Sequence, residues 1–146
     1  RRQRQMCIRD RVRHEGFVAT LGRDVPTAVV PAPSSLALGR RALVELLEKD
    51  PGLQAVCCSS DTLAQGVMVE ALARGMRVPQ DLAICGFGDA EFAAHTVPSI
   101  STVHVDGPGI GRLAAQIIVS RSRGEQVAQT VHDLGFRLIE RQSTGG

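Results

Sequence analysis

Apolar positions along this chain change their period repeatedly, and each change marks a predicted element. Between 12 and 21 they fall at Val12, Phe17, Val18 and Leu21, one face of a short helix that Gly22 stops. Residues 26–30, bounded by Pro31 and Pro33, predict a short strand. Ser34 or Ser35 then caps a helix through Leu36, Leu38, Ala42, Leu43, Leu46 and Leu47, closed by Asp50-Pro51-Gly52. Residues 53–58 and 82–87 are near-continuous apolar runs of strand length, the pattern of strands buried on both faces of a parallel sheet. Between them Ser60-Asp61 opens a helix with Leu63, Ala64, Val67, Met68, Ala71 and Leu72 as its stripe and Gly75 as its stop. Residues 101–105 predict a short extended segment, 108–122 a helix, and 127–139 one or two strands.

Strands and helices that alternate in this way argue for an α/β sheet with right-handed crossovers. Such sheets bind ligands beyond the carboxyl ends of their strands. Those ends are 31–35, 59–61, 87–89 and 105–107, where the glycines and polar residues gather. A small-molecule cleft is the expectation.

Composition narrows the class. With 146 residues and 43% hydrophobic content the chain suffices for one ordinary core, and its net charge of +2 implies no nucleic-acid face. No apolar run approaches the roughly 18–20 residues of a membrane span. Cys57, Cys58 and Cys85 lie in apolar runs, which predicts buried thiols in a reducing, cytoplasmic setting; Cys7 is the fourth cysteine. The stretch Met6-Cys7-Ile8-Arg9-Asp10-Arg11 resembles the translation of a transposon-end sequencing adapter, so 1–11 is expected to be a non-native leader.

Catalytic and cofactor motifs fall short of their requirements. Gly86-Phe87-Gly88-Asp89 lacks the third glycine of a dinucleotide fingerprint, Glu91 standing there. Gly107-Pro108-Gly109-Ile110-Gly111 lacks the Lys-Ser/Thr of a phosphate loop, and Pro at a helix start is ordinary capping chemistry. Cys57-Cys58-Ser59-Ser60-Asp61 has no histidine near it in sequence, and the four histidines share no metal-ligand spacing. No enzyme and no cofactor are expected. Ser60 and Asp61 read as a helix cap that also meets a ligand.

Two longer pieces, AVCCSSDTLAQGVMVEALARGMRVPQDLAICGFGD at 55–89 and VPSISTVHVDGPGIGRLAAQII at 97–118, resemble the lactose-repressor/galactose-repressor (LacI/GalR) family. Arg13-His14-Glu15-Gly16-Phe17 and LGFRLIERQST at 134–144 extend the likeness over nearly all of the chain after the leader. The GFGD loop and EFAAHTVPSISTVHVDG are reminiscent of gluconate-type repressors. The resemblance implies a periplasmic-binding-protein type I-like fold, a parallel sheet flanked by helices, truncated at the N-terminus. Residues 12–104 would form the C-terminal subdomain of an effector-binding domain, 105–128 would return to the N-terminal subdomain, and 129–146 would supply the closing strand and tail.

The same resemblance implies a transcription repressor that meets operator DNA through an N-terminal domain lying outside this sequence. Its effector site would include Arg13, Ser60, Asp61, Gly88 and Asp89. An arginine fork suits vicinal hydroxyls or a carboxylate. Sugar-binding members carry an aspartate where this chain has Gly88, a departure that favours an acid such as gluconate over a neutral sugar. Backbone N–H groups bared at Gly88 would welcome the anion. The alternative is that Asp89 takes over the missing carboxylate and a neutral sugar binds. His104 and Asp106 would either face the cleft or pack at the hinge. A homodimer face is implied at Met68, Leu72, Phe92 and Val97. A periplasmic solute-binding protein of the same fold, and an α/β enzyme, are the competing readings.

Overall fold

The computed structural model describes residues 8–127, 129 and 131–145. Helix α1 (Ile8–Leu21) ends at Gly22, whose φ of +64° is costly for residues with a Cβ. It begins before the expected Val12, and the rest of the expected leader, 1–7, lies outside the described residues. Next come α2 (Leu36–Lys49), β1 (Ala55–Cys57), α3 (Asp61–Ala73), β2 (Ala83–Phe87), β3 (Ser101–His104), α4 (Gly107–Ser122) and β4 (Arg137–Ile139). Ser35 and Ser60 start α2 and α3. Each holds extended backbone and accepts the N–H three residues on, from Leu38 at 3.2 Å and from Leu63 at 3.3 Å.

The strands lie in the order β1-β2-β3-β4, the first three parallel and β4 antiparallel to β3. This is the mixed α/β architecture the alternation predicts. Helices α2 and α3 cover one face. Val56, Cys58, Leu82 and Ile84 point to them and join Leu43, Leu46, Ala64, Val67, Met68, Ala71 and Ile100 in the core. Gly39 and Gly66 let the two helices approach closely: a Cβ on Gly66 would stand 2.8 Å from the Gly39 Cα.

Several expected elements differ. Residues 26–30 join no ladder. Ala28 and Val30 pack on the core, while Thr27 is held by side chains: its hydroxyl lies 3.0 Å from His14 Nε2 and its carbonyl accepts Lys49 Nζ at 2.6 Å. Prolines at 26, 31 and 33 withhold three ladder donors from this stretch. Strand β1 is not buried on both faces, because α2 and α3 lie on one side only; Ala55 and Cys57 are exposed and Cys85 is half-buried. Only Cys58 keeps the expected buried thiol, and Cys7 lies outside the described residues. Among the described residues of 127–139, only 137–139 is strand. Before it the chain turns at Gly135, with φ +69°, whose N–H donates to Asp133 Oδ1 at 2.7 Å.

The C-terminal stretch is built into the core. Ser143 is wholly buried; its hydroxyl donates to the Ile84 carbonyl at 2.5 Å and accepts the Ser101 N–H at 2.8 Å.

Candidate functional site

Side chains from several elements meet at the carboxyl ends of β1, β2 and β3. Asp61, at the first turn of α3, is only 2% exposed and faces inward. Its Oδ1 accepts the Thr102 hydroxyl at 2.6 Å and its Oδ2 accepts the Ala90 N–H at 2.7 Å. Both are charge-assisted bonds, the stronger class. Asp61 thus fastens the 88–90 loop and β3 to α3. It shapes the site from beneath, both of its carboxylate oxygens being engaged within the chain.

Asp89 adopts φ +54°, a left-handed conformation that non-glycine residues rarely hold and that Asp tolerates better than most. Its carboxylate is anchored on both sides. Arg141 Nη2 donates to Oδ1 at 2.7 Å, and His104 Nδ1 lies 2.9 Å from Oδ2. Arg141 is itself fixed, donating Nη1 to the Ile100 carbonyl at 2.9 Å. Arg141 above all holds the Asp89 carboxyl below the usual carboxylate range; partial burial opposes this and His104 adds to it.

Gly88, at φ +123°, donates its N–H to the Val103 carbonyl at 2.9 Å. The next two N–H groups are also taken, Asp89 by the Thr102 hydroxyl at 3.3 Å and Ala90 by Asp61. This overturns the expectation that glycine here bares N–H groups to an anion. The extended ladder and the Asp61–Thr102 pair consume them. Positive charge at the site comes from side chains.

Arg13, on α1, stacks its guanidinium over the Phe87 ring at 3.7 Å from the centroid. Stacking uses the face of the guanidinium, whereas its N–H donors lie in the plane. Phe87 closes β2 immediately before Gly88, so Arg13 stands beside the loop that carries Asp89. Ser60 caps α3 at the same strand ends, as expected. His104, Asp106, Leu134, Gly135, Phe136 and Arg137 line a hollow of about 300 Å³ beside this cluster. A larger one of about 420 Å³, bounded by Val78, Pro79, Val97 and Pro98 among others, sits before the amino ends of β2 and β3, away from these polar groups. Among the described residues no three His, Cys, Asp or Glu side chains are placed to share a metal ion.

Of the residues expected at a dimer face, Leu72 (45% exposed) and Val97 (86%) are on the surface and Phe92 packs partly against the core. Met68 is 3% exposed within its own chain. It joins Ala64, Val67 and Ala71 in the core. Arg141 and Thr102 stand in no short motif of the sequence and Phe87 stands only within the GFGD run; their roles come from contacts between residues far apart in the chain, which spacing does not encode.

The Periplasmic binding protein-like domain family fits residues 1–144. The chain belongs to that family. The HTH-type transcriptional regulator GntR of Pseudomonas aeruginosa is 37% identical over 148 residues, covering 96% of this chain and 42% of that protein. The HTH-type transcriptional regulator IdnR of Escherichia coli is 30% identical over 133 residues, 89% of this chain and 40% of the relative. Among solved structures, the transcription regulator GntR from Chromobacterium violaceum superposes with a TM-score of 0.81 at 35% identity, covering 91% of this chain and 49% of that one. A CelR–cellobiose complex gives 0.80 at 27%, covering 92% and 42%. The resemblance to LacI/GalR regulators and the type I periplasmic-binding-protein-like fold are borne out. The chain spans less than half the length of these relatives. No described helix is long and apolar enough to cross a membrane.

Proposed function

We propose that this chain is the effector-sensing part of a cytoplasmic, dimeric LacI/GalR-type repressor, and that its effector is a sugar acid, gluconate foremost. It would reach operator DNA only through a domain outside this sequence. The observation that carries the sugar-acid reading is the engagement of Asp89. A loop aspartate free to accept sugar hydroxyls would favour a neutral sugar, but this carboxylate is already held by Arg141 and His104 at 2.7 and 2.9 Å. With Gly88 in the preceding position, the 88–89 loop offers little uncompensated negative charge to repel an anion. Arg13 beside it supplies positive charge. The regulator names of the similar proteins support a sensor over a periplasmic solute-binding protein or an enzyme.

Within this reading, residues 12–104 form the C-terminal subdomain, 105–128 lead into the N-terminal one and 129–146 return. Helix α4, with no buried residue, supports that division, since its apolar Ile110 and Ile118 are left for another surface. Leu72 and Val97 supply the dimer face.

A thermal-shift screen of the full-length protein tests the proposal with paired ligands, gluconate against glucose and galactonate against galactose. Stabilisation by an acid and not by its sugar is expected. Stabilisation by the neutral sugars alone overturns the sugar-acid reading. Failure of the full-length protein to shift its upstream DNA, with or without ligand, overturns the repressor reading.

A further inference from the structure

Cys57 and Cys85 belong to none of the contacts that build the ligand site, yet they are register partners. Cys57 ends β1 and pairs directly with Cys85 of β2 across the parallel ladder. Neighbours in register point to the same face, here the one away from α2 and α3. Cys57 is exposed there and Cys85 half-buried, while Cys58 points the other way into the core. Two thiols therefore stand side by side on an accessible sheet face, with a third beside them in sequence but turned inward.

We infer that Cys57 and Cys85 form a reversible dithiol–disulfide couple, oxidised by hydroperoxides such as hydrogen peroxide, with Cys57 as the attacking sulfur.

The thiols divide the roles unequally. A hydrogen bond from Cys85 brings the Cys57 thiol down to about 7, against some opposition from burial. The same bond, then burial, pushes the Cys85 thiol up. The Cys85 proton has a second acceptor in reach, the Gly86 carbonyl at 3.6 Å. Burial pushes Cys58 up as well. An exposed, partly ionised thiolate beside a protonated partner is the arrangement of a peroxide-reactive cysteine with its resolving thiol.

The chemistry balances in two steps. The Cys57 thiolate attacks one peroxide oxygen; the O–O bond breaks, an S–O bond forms, and hydroxide leaves with the electron pair. Sulfur is oxidised by two electrons and the peroxide is reduced. Cys85 then gives up its proton and attacks the Cys57 sulfur, forming S–S as the S–O bond breaks and releases the second oxygen as water. Two thiols and one peroxide become one disulfide and two waters.

Parallel strands lie about 4.8 Å apart, inside the roughly 4.4–6.8 Å Cα range of disulfides. In a parallel ladder facing Cβ atoms stay near the strand spacing, above the roughly 3.8 Å mean of a relaxed disulfide, so the bond would be strained and easily reduced. That suits a transient mark rather than a permanent staple. The couple is independent of which effector occupies the neighbouring site.

The test uses full-length protein treated with stoichiometric hydrogen peroxide, alkylated, digested and mapped by tandem mass spectrometry. The expected product links Cys57 to Cys85 and disappears with dithiothreitol. Before oxidation, limiting iodoacetamide at pH 7 should label Cys57 at least about tenfold faster than Cys58. In Cys85→Ser, Cys57 should stop at the sulfenic acid and react with dimedone. Peroxide-treated protein whose Cys57 still alkylates fully overturns the inference. So does a Cys57 linked to Cys58 or to any thiol other than Cys85.

Discussion

Gly39 of α2 and Gly66 of α3 face each other with no room for a methyl group: a Cβ on Gly39 would lie 2.9 Å from the Gly66 Cα, and one on Gly66 2.8 Å from the Gly39 Cα. Helix propensity and packing then oppose each other. Ala in a helix interior is worth about 1 kcal/mol over Gly. Forcing a methyl against backbone costs about 1–3 kcal/mol or more. Gly66→Ala should destabilise on balance, lowering the urea midpoint. Gly16 of α1, with nothing within 4 Å of its Cβ position, is the matched control, and Gly16→Ala should not lower it. A Gly66→Ala protein as stable as the parent would mean the helices separate at little cost.

The Asp89–Arg141 pair gives a pH signature. The folded Asp89 carboxyl titrates below its ordinary value of 3.8, so its contribution to stability is complete above that value. It is lost as pH falls through the lower folded value. Carboxyl NMR of the folded protein should show Asp89 still ionised where exposed carboxylates have protonated. Arg141→Gln should raise the Asp89 midpoint toward the ordinary range. Asp81, brought down to about 2 chiefly by its hydrogen bond from Arg77, should be unaffected by that change. An Asp89 midpoint that ignores Arg141→Gln would break the assigned pairing.

Met68 and Val97 predict opposite phenotypes. Met68→Asp places an unpaired charge in the core and should cost about 3–5 kcal/mol of stability. Val97→Asp alters a side chain that is 86% exposed and should leave unfolding nearly unchanged, within about 0.5 kcal/mol at the monomer level. If Val97 and Leu72 form the two-fold face, sedimentation of full-length Val97→Asp should show monomers, since one substitution acts twice there. A dimer that persists in both Val97→Asp and Leu72→Asp places the interface elsewhere.

Arg13 and Gly88 test the ligand chemistry. Arg13→Ala should weaken gluconate binding by about 1.5–3 kcal/mol in calorimetry, the range for a hydrogen bond to a charged group. Gly88→Asp should weaken it too, by adding a negative charge. That carboxylate would stem from a Cβ 3.6 Å from Asp61 Oδ2, on backbone at φ +123°. Gly88→Ala carries the same backbone strain without the charge. Equal losses in both variants would show that the charge does not matter.

What the sequence made legible is what nearest neighbours decide. Ser35 and Ser60 cap their helices because the cap is a bond three residues long, and Gly22 and Gly75 stop helices by their own backbone freedom. The apolar run at 53–58 told that a strand would form, but not that one of its faces would stay uncovered at Cys57. Met68 and Leu72 belong to one apolar stripe, yet only the packing of α3 on the sheet separates the buried one from the exposed. Glycine at 88 was legible as a departure from the aspartate of sugar-binding members. The fate of its N–H group depended on Val103, a partner fifteen positions away that no local pattern identifies.

Ser143 adds a constraint in time. Its hydroxyl joins Ile84 to Ser101, strands laid down some forty to sixty positions earlier. During synthesis the helices and parallel strands emerge first and must wait, with those two backbone groups unanswered, until the closing segment arrives. A ribosome stalled a few codons short of Ser143 would hold a sheet with its seam still open, and proteolysis of such a nascent chain should fall off sharply once that one serine has cleared the exit tunnel.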